Sequence, residues 1–153
     1  SERVAPVSGM ESVGLHEADG RVLAHDLTAP SSLPPFDNSA VDGYAVRFGD
    51  LASDGPTDLP VMGRAAAGAA LDPRPPMPHA VRIFTGAPMP QGFDTVYMQE
   101  DVTLEGGRVR LPPGLALGAN RRLAGEDIAA GSPALPAGRR IMPQDVALLA
   151  ALG

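Results

Sequence analysis

The sequence predicts an α+β fold with a β-rich middle and helices near its two ends. The 153 residues contain 18 glycines and 17 prolines, which is too many for long helices or wide flat sheets. Short apolar runs separated by turn-forming residues fill the middle, and helical patterns occur only near the ends. Because no βαβ alternation or internal repeat is visible, we expect two or three short helices and six or more short strands.

The N-terminal pattern predicts a short helix followed by a strand. Residues 11–20 place two apolar side chains on one helical face, and Gly20 suits the left-handed position after a helix C-terminus. The apolar run 21–27 predicts a strand. Residues 33–36 must be extended, since a residue that precedes proline avoids the helical region.

The middle of the chain predicts polar loops that lead into or follow strands. Small polar residues at 37–42 precede the apolar stretch 43–46, which is typical of a loop feeding a buried strand. Residues 80–84 alternate and predict a second strand, which ends in the polar turn 85–90. The proline-rich stretch 69–78 predicts a semi-rigid connection.

The C-terminal half carries the clearest local signals. Residues 94–104 and 108–111 flank a Glu-Gly-Gly turn at 105–107, which predicts a hairpin. Another turn is predicted at 135–138. Residues 143–153 predict a helix with proline at its first position and glycine after its end.

Charge and composition exclude several function classes. The net charge is −6, and all 12 basic residues are arginines, so nucleic acid and anionic membranes are not expected partners. Without lysine the chain has no Schiff-base or P-loop lysine, and without cysteine it has no disulfide, thiolate zinc site or cysteine nucleophile. Because no signal-peptide layout or membrane-length apolar run is present, we expect a cytoplasmic protein.

Carboxylates, hydroxyls and arginines in three turn-rich loops are the candidates for chemistry. They are Asp37, Asn38, Ser39 and Asp42 in the first loop, Thr85 in the second, and Arg121, Arg122, Glu126 and Asp127 in the third. Hard oxygen ligands suit Mg²⁺ that substrate phosphates help to coordinate, and arginine binds phosphate or another oxyanion. The same residue types also cap turns, so spacing alone leaves a purely structural role open.

The three loops carry motifs that resemble those of one protein family. They are Pro-Pro-Phe-Asp-Asn-Ser-Ala-Val-Asp-Gly-Tyr-Ala-Val at 34–46, Arg-Ile-Phe-Thr-Gly-Ala-Pro-Met-Pro at 82–90, and Asn-Arg-Arg with Gly-Glu-Asp-Ile within 120–128. With them the chain resembles the N-terminal region, domains I and II, of the MoeA family of molybdopterin molybdenumtransferases, related to the E domain of gephyrin. The similarity extends to residues 15–24 and 143–153 and so covers nearly the whole chain.

The resemblance implies a homodimeric cytoplasmic enzyme that uses Mg²⁺ to insert molybdenum from molybdate into adenylated molybdopterin. It implies an active cleft between this region of one subunit and a following pterin-binding domain of the other. It also implies the molybdopterin adenylyltransferase as a partner. The family fold implies a small α/β lobe formed by the chain ends, residues 1–28 plus 129–153, and a β-rich lobe, residues 29–128, that carries the Asp-Gly-Tyr-Ala and Thr-Gly-Ala motifs.

Site residues follow from the resemblance, position by position in the matching motifs. The implied catalytic residues are Asp42, Thr85, Arg122 and Asp127. The implied cofactor-binding residues, which could equally hold the loops in shape, are Ser39, Arg121 and Glu126. Both aspartates of the catalytic set are the implied Mg²⁺ ligands, Arg122 would hold a phosphate or molybdate oxygen, and Thr85 would donate a hydrogen bond to the ligand.

The sequence departs from the family in its length. It ends at Gly153, before the family's pterin-binding domain and C-terminal β domain, so we expect the fragment alone to be inactive. The apolar helix at its end predicts that the chain continues into the next domain. The alternative is a stand-alone, non-catalytic binding or dimerisation module on the same scaffold. The three ordered motifs disfavour a third interpretation, in which the loops are turns and nothing more.

Overall fold

A computed structural model describes residues 8–67 and 77–153, which form two compact units. The terminal unit combines the described residues up to Leu33 with Asp127–Gly153, and the β unit is Pro34–Glu126. The proline-rich connection predicted at 69–78 lies outside the described residues, apart from its last two positions.

Within the described ranges the chain forms one α-helix, ten strands and three single-turn 3₁₀ helices. The strands are β1 (Leu27–Thr28), β2 (Asn38–Ser39), β3 (Gly43–Val46), β4 (Thr57–Ala65), β5 (Ala80–Ile83), β6 (Thr95–Met98), β7 (Thr103–Glu105), β8 (Arg108–Leu111), β9 (Arg121–Arg122) and β10 (Pro133–Leu135). The α-helix is α1 (Pro143–Leu152), and the 3₁₀ turns are Leu15–Glu17, Phe48–Asp50 and Gln99–Asp101. The predicted β-rich α+β class is confirmed.

The β unit is built on a curled six-stranded sheet in the order β6-β3-β5-β4-β8-β7. β4 and β5 are parallel, and the other neighbours are antiparallel. β6 and β7 occupy opposite edges although only residues 99–102 separate them. In a flat sheet the edges would lie roughly 24 Å apart, whereas this connection reaches about 18 Å at most. The sheet therefore curls until its edges approach each other.

The core of the β unit consists of two apolar clusters, one on each face of the sheet. Successive side chains of a strand point to opposite faces, so on β3 Tyr44 and Val46 join one cluster and Ala45 joins the other. Each large aliphatic side chain that is fully buried stabilises the fold by about 1.5–3 kcal/mol. All four residues of β3 are buried, which confirms the predicted buried strand at 43–46.

β3 approaches β6 so closely that one position has no room for a side chain. A Cβ atom on Gly43 would lie 1.8 Å from the carbonyl oxygen of Tyr97. Gly43 pairs with Met98 and the next residue pairs with Tyr97 in the antiparallel register. The glycine of the Asp-Gly-Tyr motif is thus required by backbone contact.

Two further predictions in the β unit are confirmed and a third is wrong in its extent. The strand at 80–84 is present as β5, and the hairpin at 105–107 joins β7 to β8. The predicted continuous strand 94–104 is instead two strands, β6 and β7, interrupted by the exposed 3₁₀ turn Gln99–Asp101. The interruption carries the chain from one edge of the curled sheet to the other.

The terminal unit pairs the beginning of the chain with its end. β1 is antiparallel to β10, and an isolated bridge joins Val22 to Arg140. The predicted strand at 21–27 is therefore wrong in its extent, since regular pairing starts only at Leu27. The helix predicted at 11–20 is also wrong, because only the turn Leu15–Glu17 forms and none of its residues is buried. An isolated helix this short is unstable without a packed face.

Helix α1 is confirmed and is anchored at its N-terminus by a buried carboxylate. Asp145 is 3% exposed. It accepts two hydrogen bonds from Arg139, 3.0 Å from Nε and 2.8 Å from Nη2, and a third from the backbone N–H of Met142 at 3.0 Å. The hydrogen bonds from Arg139 are the main reason that the pKa of Asp145 lies below its ordinary value, although burial opposes them. Across the described ranges, no helix has the length and apolar character needed to cross a bilayer.

We predict that Gly43→Ala lowers the free energy of unfolding by at least about 3 kcal/mol, because the new methyl group collides with backbone rather than with a flexible side chain. The matched control is Gly49→Ala, where no atom lies within 4 Å of the added Cβ. Urea denaturation of both variants measures the difference. Equal stability of the two variants would contradict the close approach of β3 to β6.

We predict that Asp145→Asn destabilises the protein at neutral pH and removes part of its acid sensitivity. Because the folded pKa lies below the ordinary value of about 3.9, the ionised carboxylate stabilises the fold above pH ~4, and this contribution is lost as the pH falls through the folded pKa. Urea denaturation from pH 7 to pH 3 is the measurement, and the exposed Asp19→Asn is the control. An unchanged acid dependence in Asp145→Asn would refute the assignment.

Candidate functional site

The first motif loop, residues 37–42, is the segment to which the other two motif loops attach. Its strand β2 pairs with β9 of the third loop, with Ser39 opposite Arg121. The second loop binds the same residue, since the N–H of Ser39 donates to the Ala87 carbonyl at 3.0 Å and the N–H of Gly86 donates to the Ser39 carbonyl at 2.8 Å. Three loops separated in sequence therefore meet through main-chain hydrogen bonds.

Asp37 reinforces this junction with its side chain and its backbone. Its Oδ1 accepts a hydrogen bond from the N–H of Ala124 at 2.8 Å, and its carbonyl accepts one from the N–H of Met89 at 2.9 Å. Its Oδ2 lies 3.9 Å from Nη1 of Arg121. Asp37 thus holds the second and third loops to the first.

The third loop turns at Asn120, which adopts a left-handed backbone conformation with φ of 58°. Asparagine is among the few residues other than glycine that tolerate this region. Its Nδ2 donates to the carbonyl of Val96 at 2.9 Å, and its own carbonyl accepts a hydrogen bond from the N–H of Ala40 at 2.9 Å. The asparagine of the Asn-Arg-Arg motif sets the path of the chain into β9.

Asp42 and Thr85 are brought into direct contact. Oδ1 of Asp42 accepts hydrogen bonds from both the backbone N–H and the hydroxyl of Thr85, each at 2.8 Å. The backbone N–H of Thr85 and then its hydroxyl are the main causes that lower the pKa of Asp42. Desolvation opposes them, and the charge of Arg82 adds a lowering effect smaller than that of desolvation. The carboxylate is therefore ionised at neutral pH. Since both donors use Oδ1, Oδ2 accepts none of the hydrogen bonds found between described residues.

Arg121 and Arg122 are consecutive residues of β9, and their side chains have different surroundings. Nε of Arg122 is 3.7 Å from Oε1 of Glu126, and Oε2 of Glu126 accepts a hydrogen bond from the N–H of Leu123 at 2.9 Å. Nε of Arg121 is buried, and no acceptor in the described part of the chain bonds to it. Both arginines belong to the loop junction.

Ser39 and Asp127 differ from these residues in their placement. The Ser39 hydroxyl is buried and donates to the carbonyl of Val41 at 2.6 Å, which is a turn-stabilising contact. Asp127 belongs to the terminal unit, where its N–H donates to the carbonyl of Leu33 at 3.0 Å. The functional roles implied for Ser39 and Asp127 stay predictions.

The whole sequence, residues 1–153, matches the family model described as the MoeA N-terminal region, domain I and II. The chain belongs to the MoeA family. Over 152 residues it is 42% identical to the molybdopterin molybdenumtransferase of Synechococcus elongatus, and over 144 residues it is 42% identical to that of Haemophilus influenzae. The fold is similar to the crystal structure of the molybdopterin biosynthesis moeA protein from Pyrococcus horikoshii OT3, with a TM-score of 0.86 and 40% identity.

These relatives are longer than the chain. The alignments cover 94% of the chain but only 37% of the Synechococcus protein and 35% of the Haemophilus protein. The Pyrococcus structure is covered to 38%. This MoeA-family chain therefore spans about a third of the length of the relatives it matches.

The donor set of this MoeA-family region fits a cation that is shared with a substrate. The ionised carboxylate of Asp42 has one oxygen engaged by Thr85, and one or two carboxylates are what a protein contributes when substrate oxygens and water complete a Mg²⁺ shell. A closed metal cage does not fit, because no cluster of three or more His, Cys, Asp or Glu is found in residues 8–67 and 77–153.

Sequence reasoning missed Arg82 as a residue of this site. Its Nη1 donates to the carbonyl of Gly43 at 2.9 Å, and its Nη2 donates to the side-chain carbonyl of Gln99. Arg82 is therefore hydrogen-bonded to the main chain of the residue that follows Asp42. The available signal was its position in the Arg-Ile-Phe-Thr motif, where it alternates with the buried Ile83 and so faces the opposite side of the sheet.

We predict that Thr85→Val raises the pKa of Asp42, because the hydroxyl donor is lost. The pKa stays below its ordinary value, since the backbone N–H of residue 85 is its largest cause of lowering and remains. NMR titration of the Asp42 carboxyl carbon in metal-free buffer measures this, with the exposed Thr103→Val as the matched control. An unshifted Asp42 titration in Thr85→Val would exclude the side-chain hydrogen bond.

Proposed function

We propose that this chain is the N-terminal part of a molybdopterin molybdenumtransferase, which inserts molybdenum from molybdate into adenylated molybdopterin during molybdenum cofactor biosynthesis. The main support for this proposal is the ionised Asp42 carboxylate, which is hydrogen-bonded to Thr85 beside the junction of the three motif loops. The names of the similar full-length proteins support this reaction class.

The residues of the loop junction have separate tasks in this proposal. Asp42 orients a cation or a water molecule, since an ionised carboxylate accepts hydrogen bonds and attracts positive charge. Arg122 binds an oxygen of phosphate or of molybdate, for which a planar guanidinium is well suited. The buried Nε of Arg121, which lacks an acceptor among the described residues, supports a role for that residue in binding an anionic ligand.

Magnesium is proposed as the cofactor. Asp42 is the first proposed ligand, and Asp127, from the Gly-Glu-Asp motif, is the second. When bound, Mg²⁺ would supply positive charge that offsets the negative charge of molybdate and of the pterin phosphate. The hydroxyl of Thr85 keeps the Asp42 carboxylate in one orientation for this contact.

The proposal assigns catalysis to the longer protein rather than to these 153 residues. Because the chain spans about a third of its relatives, we propose that the fragment alone is inactive and that the pterin-binding domain of a second subunit completes the site in a homodimer. The molybdopterin adenylyltransferase is the proposed supplier of the adenylated substrate, in the cytoplasm.

We predict that Asp42→Asn in the full-length protein lowers the rate of molybdenum cofactor formation by at least about 100-fold. The amide oxygen of asparagine can still accept the hydrogen bonds from Thr85, so the fold is kept while the charge is lost. The measurement is cofactor formation from molybdate and adenylated molybdopterin with purified protein, together with the unfolding midpoint of the variant.

The matched control is Asp101→Asn, which makes the same chemical change at an exposed residue of a 3₁₀ turn. It should retain the activity of the unmodified protein. Full activity of Asp42→Asn, with normal stability, would remove Asp42 from the reaction. Full activity of residues 1–153 alone would overturn the need for the pterin-binding domain.

A further inference from the structure

Two arginines of the β unit share a single phenylalanine ring. Arg64 on β4 and Arg82 on β5 are direct partners in the parallel register. The guanidinium carbon of Arg64 lies 4.6 Å from the ring centroid of Phe84, and that of Arg82 lies 4.7 Å from it. The distance between the two guanidinium carbons therefore cannot exceed the sum of these two distances.

A β-bulge is what places Arg64 beside Arg82. The register shifts between Val61, opposite Ala80, and Arg64, opposite Arg82, so three steps along β4 match two along β5. Gly63 lies inside this interval with φ of 94°, a left-handed conformation that glycine adopts readily. Without the extra residue, the register that pairs Val61 with Ala80 would place Gly63, rather than Arg64, opposite Arg82. Bulges of this kind re-aim side chains next to functional sites.

The arrangement places two like charges on neighbouring strands. The only carboxylate shown to respond to either charge is Asp42, whose pKa Arg82 lowers without an ion-pair contact between described residues. Like charges directly opposite each other in a sheet are destabilising. In the described ranges neither Arg64 nor Arg82 forms an ion pair with a carboxylate, whereas Arg47, Arg110 and Arg139 each do. The Phe84 ring attracts both cations through its face but does not neutralise them. A bound anion would neutralise part of this positive charge.

The pair lies next to the Asp42–Thr85 contact. Arg82 donates to the carbonyl of Gly43 at 2.9 Å, which is the residue after Asp42, and Phe84 directly precedes Thr85 in sequence. Arg64 is exposed and donates no hydrogen bond to the described residues, so its N–H groups are available to a ligand. Only two donor groups of Arg82 are used by described residues.

We infer that Arg64 and Arg82 form a binding subsite for a tetrahedral oxyanion, either free molybdate or phosphate, or the phosphoryl group of a larger substrate. The Phe84 ring positions the two guanidinium groups, and the bulge at Gly63 fixes which side chain joins Arg82. The subsite deepens the proposed function and rests on it only for the natural source of the oxyanion.

The experiment titrates residues 1–153 with sodium molybdate, with inorganic phosphate and, separately, with adenosine monophosphate. Isothermal calorimetry and the NMR shifts of the Arg64 and Arg82 side-chain N–H groups follow binding. We expect saturable binding of at least one of these anions, and the tightest of the three identifies the source. Arg64→Gln should weaken it about tenfold, since a charge-assisted hydrogen bond is lost.

The controls separate a specific subsite from general attraction to positive charge. Arg110→Gln removes an exposed arginine from β8 of the same sheet and should leave the affinity within about twofold. Arg82→Gln should weaken binding as Arg64→Gln does. Because Arg82 also contacts the main chain, Arg64→Gln, which loses no described hydrogen bond, keeps the test valid if Arg82→Gln does not fold.

Two results would overturn the inference: no saturable binding of any of the three anions, or an equal loss of affinity in Arg64→Gln and Arg110→Gln. Its failure is distinguishable from failure of the proposed function. Anion binding is measured with the 153-residue chain and does not require Asp42, whereas cofactor formation is measured with the full-length protein and does. Arg64-dependent binding together with a fully active Asp42→Asn enzyme would leave the subsite standing and remove the proposed role of Asp42.

Discussion

The close approach of β3 to β6 at Gly43 is the contact on which the site geometry depends. The backbone of Tyr97 packs against Gly43 so closely that no side chain fits there, and Asp42 immediately precedes this contact. The carbonyl of Asp42 is tied to the same neighbour, because it accepts a hydrogen bond from the N–H of Gln99 at 3.0 Å. The carboxylate is thus held from the sheet on one side and by Thr85 on the other. Its orientation is a property of the fold rather than of a mobile loop.

Local signals in the sequence were sufficient for the elements that local chemistry determines. The Glu-Gly-Gly turn specified its hairpin, and the proline and glycine at the ends of α1 specified a helix of the right length. Local pattern failed where packing decides. Residues 11–20 have helical spacing, but the only turn that forms there buries none of its residues. The run 94–104 has the pattern of one strand, although the curled sheet requires it to change edges. The motifs identified the candidate site residues, but they did not predict which of these residues contact one another. Which side chain lies beside Arg82 depends on a bulge in a strand distant in sequence.

The charge of the chain is distributed in a way that its net value conceals. An overall charge of −6 argues against polyanionic partners, yet Arg82 lies close enough to Asp42 to influence its ionisation. An ionised carboxylate suited to a cation and an arginine pair suited to an anion are therefore neighbours.

The discontinuous layout of the terminal unit has a consequence for how the protein is made. The β unit is one uninterrupted stretch of sequence, whereas β1 has no partner strand until β10 has been synthesised, about 100 residues later. At ordinary rates of translation this interval is about 5–20 s. During that time β1 lacks the strand with which it pairs in the folded protein, so the terminal unit is completed only after the whole β unit has been synthesised.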